Sequence, residues 1–390
     1  MFTIAGIGCC LLDYIYARVD FTSSAFGAYR SRLEGDGGLL PGKLVFTEDF
    51  ESFIDCDLES VLQEITSGKP VDMVNIGGPA VVALIHAAQI LDSSRFHVRF
   101  IGAIGEDAEG AELCRQIDRT PLGSAGLLKK AGRTPRTVVL SDPTFDQGRG
   151  ERTFINTIGA AGQLSSEDLD VGFFKANMVV FGGTALVPQL HDSLDQLVLQ
   201  AKSTGAFTVV NTVYDFRHQR QNPLSRWPLG SSDKSYSSID LLIADLEEAL
   251  RLSGTEALDD ALNFFIKQGV GAAIVTNGSR DVALKIGCDL YVPQSNSRFP
   301  VSQSIVAELI EHPERKGDTT GCGDNFAGGV IAEVAHQLES RQARIDLAKA
   351  VAWGAVSGGL ACFQMGGVFF ELHPEQKRKL MQPYLNAYFQ

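Results

Sequence analysis

DTTGCGDNFAGGV, at Asp318–Val330, sets a run of small residues directly against a helical pattern. Thr319–Gly323 is small enough for a tight turn, and Phe326, Val330, Val334 and Leu338 recur at helical spacing. Small residues let the backbone bend sharply, and the first N–H groups of the following helix point outward without intrahelical partners. Such a helix start holds an anion without a basic side chain. A carboxylate there, Asp324, would repel a passively bound phosphate. It fits a site in which the acid takes a proton from a nucleophilic hydroxyl while the amides stabilise a transferring phosphoryl group. The simpler alternative is that Asp324 only caps the helix.

Short apolar runs that do not alternate recur at Thr3–Gly8, Met73–Ile76, His97–Ile101, Met178–Phe181, Phe207–Val210, Ile239–Ile243 and Ala272–Val275. Strands of that kind are buried on both faces. Helical patterns lie between them at Ala80–Leu91, Asp107–Ile117, Leu190–Lys202, Leu246–Leu252, Ala257–Gln268 and Asn325–Leu338. The alternation predicts an α/β fold, a doubly wound and mostly parallel sheet whose ligands bind beyond the carboxyl ends of the strands. Two segments break the rhythm. Tyr14–Pro70 is long, glycine-rich between Gly35 and Gly42 and acidic from Glu48 to Glu59, and it resists assignment. Arg136–Leu140 and Thr153–Thr157 read as paired strands around the polar turn DQGRGE. One domain over residues 1–390 is expected, with a small β lid drawn from 14–70 and 133–158.

Bulk properties exclude several function classes. A net charge of −13 repels phosphate backbones and anionic lipid, so neither nucleic acid nor a membrane is expected as a partner. Seven scattered cysteines, with no C-x-x-C pair, argue for a reducing compartment and against structural zinc. The start, MFTIAGIGCCLLDYIY, lacks the basic region and cleavage site of a signal peptide, and a cytoplasmic protein is expected. Gly42-Lys43 and Gly68-Lys69 lack the spacing of a G-x-x-x-x-G-K-[ST] loop, GIGCCLLD does not supply G-x-G-x-x-G, and there is no G-x-S-x-G elbow.

DTTGCGD also resembles the D-T-x-G-A-G-D signature of the ribokinase-like (PfkB) carbohydrate kinase family, with Cys322 in the alanine position. The resemblance implies an ATP-dependent phosphotransferase acting on a sugar-like hydroxyl, with Mg2+ and a monovalent cation such as K+. It makes Asp324 the base, gives the anion hole to the amides of Gly321, Cys322 and Gly323, and sets Asp318 and Thr320 at the monovalent cation. Small size accounts for Cys322. Further matches follow in the family's order. Asp13, in Gly8-x-x-x-x-Asp13, corresponds to the acid that grips substrate hydroxyls, and Gly77-Gly78 to a glycine pair whose bare backbone lets a sugar approach. VRFIGAIGEDAEG reads as structural, with Asp107 capping a helix. IADLEEA aligns with N-x-x-E, implying Asp245 and Glu248 in Mg-phosphate organisation; the alternative is an ordinary acidic first helical turn. VTNGSRD resembles the nucleotide loop, with Thr276, Gly278 and Ser279 fitting and Asp281 replacing a glycine. A homodimer joined through the lid is a further expectation.

The resemblance runs from Thr3 to Gly367 but fails at the acceptor. Val82, Ala161 and Asn211-Thr212-Val213 stand where the family places polar groups, each able to give a substrate hydrogen bonds worth on the order of 1 kcal/mol. The pocket is therefore more apolar, or rebuilt from Tyr14–Pro70. Arg152, Asp215 and Arg217 are candidate replacements but are expected at the surface. Two rivals follow: a nucleoside kinase of the adenosine type, and a non-catalytic member that binds a sugar or nucleotide.

Overall fold

The computed structural model describes residues 1–33, 35–148 and 150–390. Its strands, in chain order, are β1 (Phe2–Gly8), β2 (Leu11–Tyr16), β3 (Leu44–Phe46), β4 (Met73–Gly77), β5 (Phe96–Ile104), β6 (Leu127–Lys129) and β7 (Arg136–Asp142). They continue with β8 (Glu151–Thr157), β9 (Met178–Gly182), β10 (Phe207–Asn211), β11 (Leu241–Asp245), β12 (Ala272–Thr276), β13 (Val282–Ile286) and β14 (Arg298–Phe299). Nine form one sheet in the order β14-β13-β12-β11-β10-β9-β1-β5-β6, parallel except for β13. Its central strands are Val, Ile, Leu and Ala runs buried on both sides, as their lack of alternation predicts.

Helices Pro79–Ile90, Cys322–Glu339 and Leu347–Ala361 cover one face. Leu194–Ser203, Leu246–Ser253 and Leu258–Lys267 cover the other. The glycines after Phe326 serve packing: a Cβ on Gly328 would lie 2.5 Å from the Ala83 carbonyl oxygen, so helix Cys322–Glu339 can press against Pro79–Ile90. The expected single helix over Leu190–Lys202 is instead two, Pro188–Asp192 and Leu194–Ser203. Ser193 divides them, its hydroxyl donating to the Gln189 carbonyl at 3.1 Å.

The lid is a second sheet, ordered β3-β8-β7-β2-β4. Met73–Ile76, expected among the core strands, belongs here as β4, antiparallel to β2. A four-residue apolar run fits either sheet, and only pairing decides between them. β7 and β8 pair antiparallel as read; the turn between them includes position 149, outside the described residues. Side chains alternate across the lid. Leu11, Asp13, Thr137, Phe154 and Asn156 face a cleft, while Tyr14, Tyr16, Val138, Leu140 and Ile155 pack on the far side against Val19, Phe21, Phe26, Phe50, Val61 and Ile65. The described residues of the Tyr14–Pro70 segment thus build part of the lid. Its helices Thr47–Ile54 and Leu58–Ile65 bury the lid's outer face in a small core of their own.

Candidate active site

The cleft between lid and main sheet measures about 410 Å³. Its floor is the turn at Thr319–Asp324, its roof β2, β7 and β8, and one wall the ends of β10 and β11. Asp13, Gly78, Asp245, Glu248, Thr320, Gly321, Cys322, Gly323 and Asp324, read from the sequence as site residues, all line it.

Gly321 caps helix Cys322–Glu339 with φ +78°, in the left-handed region, and a Cβ there would lie 2.5 Å from the Gly367 Cα. The Cys322 N–H closes the turn onto the Thr319 carbonyl at 3.3 Å, so it is the weakest of the three expected anion-hole amides. The Gly321 and Gly323 amides find no protein acceptor among the described residues, as the first turn of a helix requires. Asn325 holds the turn from beneath, donating to the Gly321 and Gly367 carbonyls at 2.8 Å each. Its Oδ1 accepts from the buried Lys377 at 2.9 Å. Burial pushes the Lys377 amine down to about 7. Sequence reading missed Lys377 because it sits in the polar stretch QKRKL with nothing to mark it as buried.

Asp324 stands at the first turn of that helix, half-buried, with burial pushing its carboxyl up to about 6. It does not cap the helix; the left-handed Gly321 does, with no side-chain bond. Asp13 projects from β2, 6% exposed. Burial, then Asp324 and Asp318, push it up to about 8, against the pull of Arg152. The glycine pair has a local reason for being bare. A Cβ on Gly77 would lie 2.3 Å from the Asp13 carboxylate, and one on Gly78 would lie 2.4 Å from the Cys9 carbonyl. Gly77 and Gly78 therefore seat Asp13 and its strand, in addition to leaving any ligand room.

Asp245 and Glu248 form a reciprocal capping box at the start of helix Leu246–Ser253, with Glu248 N–H donating to Asp245 at 2.8 Å and Asp245 N–H to Glu248 at 3.1 Å. Thr212 donates to Glu248 at 2.5 Å. Burial, then Asp245, push Glu248 up to about 8. Two acids held this close in a cleft, one of them buried, are a donor set suited to a hard divalent cation, so these residues fit Mg2+. The capping reading is correct, since both bonds of the box are present. Asp318 differs. Its carboxylate accepts from the Thr320 N–H and hydroxyl at 3.1 and 3.0 Å and from the Gly366 N–H at 3.2 Å. The Thr320 hydroxyl in turn faces Arg152. These contacts pin the turn from the side of Gly366.

Thr276 ends β12 in register with Asp245 of β11, and Gly278 follows with φ +56° and open space beside it. This turn, with Ser279, lies beyond the acids at the same strand ends, outside the cleft itself. Asp107 behaves as read, accepting from Gly110 and Thr134 N–H groups at 2.8 Å. Cys322 lies 3.5 Å from Cys362, sulfur to sulfur, and that hydrogen bond with burial holds its thiol well above the usual range.

The replacements expected at the surface sort differently. Arg152 enters the cleft and donates to the Thr320 hydroxyl at 2.9 Å. Asp215 is buried as the cap of helix Phe216–Gln221, and Arg217 is paired with Asp192. Val82 packs beside Gly367, and Ala161 is buried in the segment Gly159–Gln163. Also missed were Lys43, Phe154, Tyr214 and Phe216, which line the cleft. The alternation Arg152, Phe154, Asn156 along β8 was the available signal for one shared face.

Comparisons with known proteins bear on the family and the fold. The family model for pfkB family carbohydrate kinases matches residues 63–372, starting later than the resemblance read from Thr3 and leaving Asp13 outside. A fructokinase of Vibrio alginolyticus is 24% identical over 295 residues, covering 75% of this chain and 86% of that protein. A probable chloroplastic fructokinase of Arabidopsis thaliana is 23% identical, covering 75% and 70%. Among solved structures, adenosine kinase from Schistosoma mansoni superposes with a TM-score of 0.68 at 16% identity, covering 94% of this chain and 97% of that one. Ribokinase from Thermotoga maritima gives 0.60 at 16%, covering 99% and 100%. These two share the fold. With the match spanning most of the chain and a helix-start acid facing a lidded cleft, the protein belongs to the pfkB family of carbohydrate kinases.

Proposed function

We propose that the cleft transfers the γ-phosphoryl group of ATP to a hydroxyl of a small sugar or sugar-like acceptor. The observation that carries this reading is the pairing of Asp324 with two unpartnered glycine amides at one helix start, facing Asp13 across the cleft. Asp13 accepts hydrogen bonds from acceptor hydroxyls and orients one of them. Asp324, shifted toward neutrality by burial, takes the proton of that hydroxyl as it attacks. The Gly321 and Gly323 amides meet the charge that builds on the phosphoryl oxygens. Asp245 and Glu248 would hold Mg2+, directly or through water, and the ion's chemistry there is to neutralise phosphate charge. The Thr276–Ser279 turn lies where the rest of the nucleotide would extend. Arg152 and the lid exclude water, which suppresses idle ATP hydrolysis. ATP supply and seven unbridged cysteines both suit a cytoplasmic reaction.

A nucleoside acceptor is the second reading. Phe154, Tyr214 and Phe216 line the cleft, and aromatic walls suit a planar base better than a polyol. ADP release measured over a panel of hexoses, pentoses and nucleosides separates the two. Turnover with hexoses or pentoses alone supports the first reading, and turnover with nucleosides alone supports the second. ATP binding by calorimetry without turnover on any acceptor refutes both.

A further inference from the structure

Behind the cleft wall lies a group of side chains to which phosphoryl transfer gives no task. His191, Asp215 and His218 each bring a ligand atom to within 4.8 Å of the others. His191 comes from helix Pro188–Asp192, after β9, and Asp215 and His218 from the cap and first turn of helix Phe216–Gln221, after β10. Asp215 divides its oxygens. Oδ1 accepts the His218 N–H at 3.0 Å, while Oδ2 lies 2.5 Å from His218 Nδ1 and 3.7 Å from His191 Nε2. His191 Nδ1 is hydrogen-bonded to the Thr184 hydroxyl at 2.9 Å, which turns Nε2 toward the carboxylate. His191 and Asp215 are each 3% exposed, and His218 is half-buried. A void of about 10 Å³, lined by Thr184, His191, Asp215 and Trp227 among others, adjoins them.

We propose that His191, Asp215 and His218 form a binding site for a divalent transition-metal ion of the Zn2+ class. Two imidazoles and a carboxylate suit Zn2+, Co2+ or Ni2+, whereas Mg2+ and Ca2+ take oxygen sets. Tetrahedral ligation at about 2.1 Å separates ligand atoms by roughly 3.4 Å. The His191–Asp215 distance of 3.7 Å is already near that spacing. His218 Nδ1, now 2.5 Å from Asp215 Oδ2, must draw back by about 1 Å to reach the same spacing, and its side chain, 23% exposed, borders solvent on one side. Thr184 supplies the outer hydrogen bond that metal-binding imidazoles use to fix tautomer and orientation. The Pro228 carbonyl, 3.4 Å from His191 Nε2, or a water completes the shell. Arg217, the nearby cation, is occupied by Asp192. On binding, His218 Nδ1 gives up its proton to Nε2 or to solvent. The ion would tie the helix after β9 to the segment after β10, whose Val213, Tyr214 and Phe216 line the cleft.

The test uses the full, untagged chain, stripped with a chelator and titrated with Co2+ alone. Expected are visible d–d absorption bands of a four- or five-coordinate ion, saturating at one equivalent and reversed by Zn2+. Trp227, which lines the adjoining void, should lose fluorescence in parallel. His191→Gln and His218→Gln should each weaken binding by more than about 100-fold, and Thr184→Val by about 10- to 100-fold. His218→Gln, at the less buried position, keeps the experiment readable if His191→Gln does not fold. Absence of the bands in the unmutated chain, or undiminished bands in His218→Gln, overturns the proposal.

Discussion

Arg152 of the lid donates to the hydroxyl of Thr320 in the helix-start turn at 2.9 Å, so roof and floor of the cleft touch. The same guanidinium draws the Asp13 carboxyl downward against burial and its acidic neighbours. Arg152→Ala should therefore raise KM for the acceptor. It should also raise the fraction of ATP hydrolysed when no acceptor is present, because the lid is no longer tied down. Lysine there restores charge but not the planar fork of donors, so Arg152→Lys should recover less than half of the loss. ADP release with and without acceptor checks both.

Asp324→Asn removes the proton acceptor while keeping the side chain's shape. Turnover should fall by about 10²- to 10⁴-fold, with ATP affinity by calorimetry nearly unchanged. In the unmutated enzyme, kcat/KM should rise with pH through about 6, since Asp324 accepts a proton only once ionised. A flat profile between pH 5 and about 7 would remove Asp324 from the reaction.

Gly77 and Asp13 should show coupling. The added methyl of Gly77→Ala would sit 2.3 Å from the Asp13 carboxylate, so the variant should raise acceptor KM by displacing that carboxylate. In an Asp13→Ala background the space is free, and the same substitution should change KM less than about twofold. A double-mutant cycle should give a coupling of roughly 0.5–3 kcal/mol. Additive effects would mean that Gly77 serves only an approaching ligand.

Asp13, Glu248 and Asp324 hold their protons more tightly folded than unfolded, at about 8, 8 and 6 against ordinary values of 3.8, 4.5 and 3.8. The folded state thus binds more protons across that window, and stability should fall as pH rises from about 4 to 8. Asp13→Asn should flatten the slope of melting temperature against pH. Saturating Mg2+ and nucleotide should flatten it too, by favouring ionised Glu248.

Much of this site was legible in the sequence because its signals are local. A small-residue turn before a helix needs no tertiary knowledge to be read as an anion site, and Asp107 caps a helix for reasons contained within three residues. What escaped depends on pairing between distant segments. β4 was assigned to the wrong sheet because strand periodicity does not name a partner. Arg152 was placed at the surface because alternation along β8 does not say which face meets the cleft. Tyr14–Pro70 gave no pattern because its helices are short and pack on the lid rather than on the main sheet.

That segment also bridges to the opposite wall. Lys43 lies 3.6 Å from Glu247 and 5.5 Å from the centre of the Tyr214 ring, Phe46 meets Phe216 edge-on at 5.9 Å, and Asp49 pairs with Arg220. Fastenings of this kind are partly ionic and solvent-exposed, so dissolved electrolyte weakens them. An enzyme paced by departure of its phosphorylated product should accordingly quicken as ionic strength climbs, whereas one paced by bond-making should not. Pre-steady-state burst amplitudes at low and high potassium chloride would tell which. The stretch with the poorest motif content would then act as the escapement of the catalytic cycle.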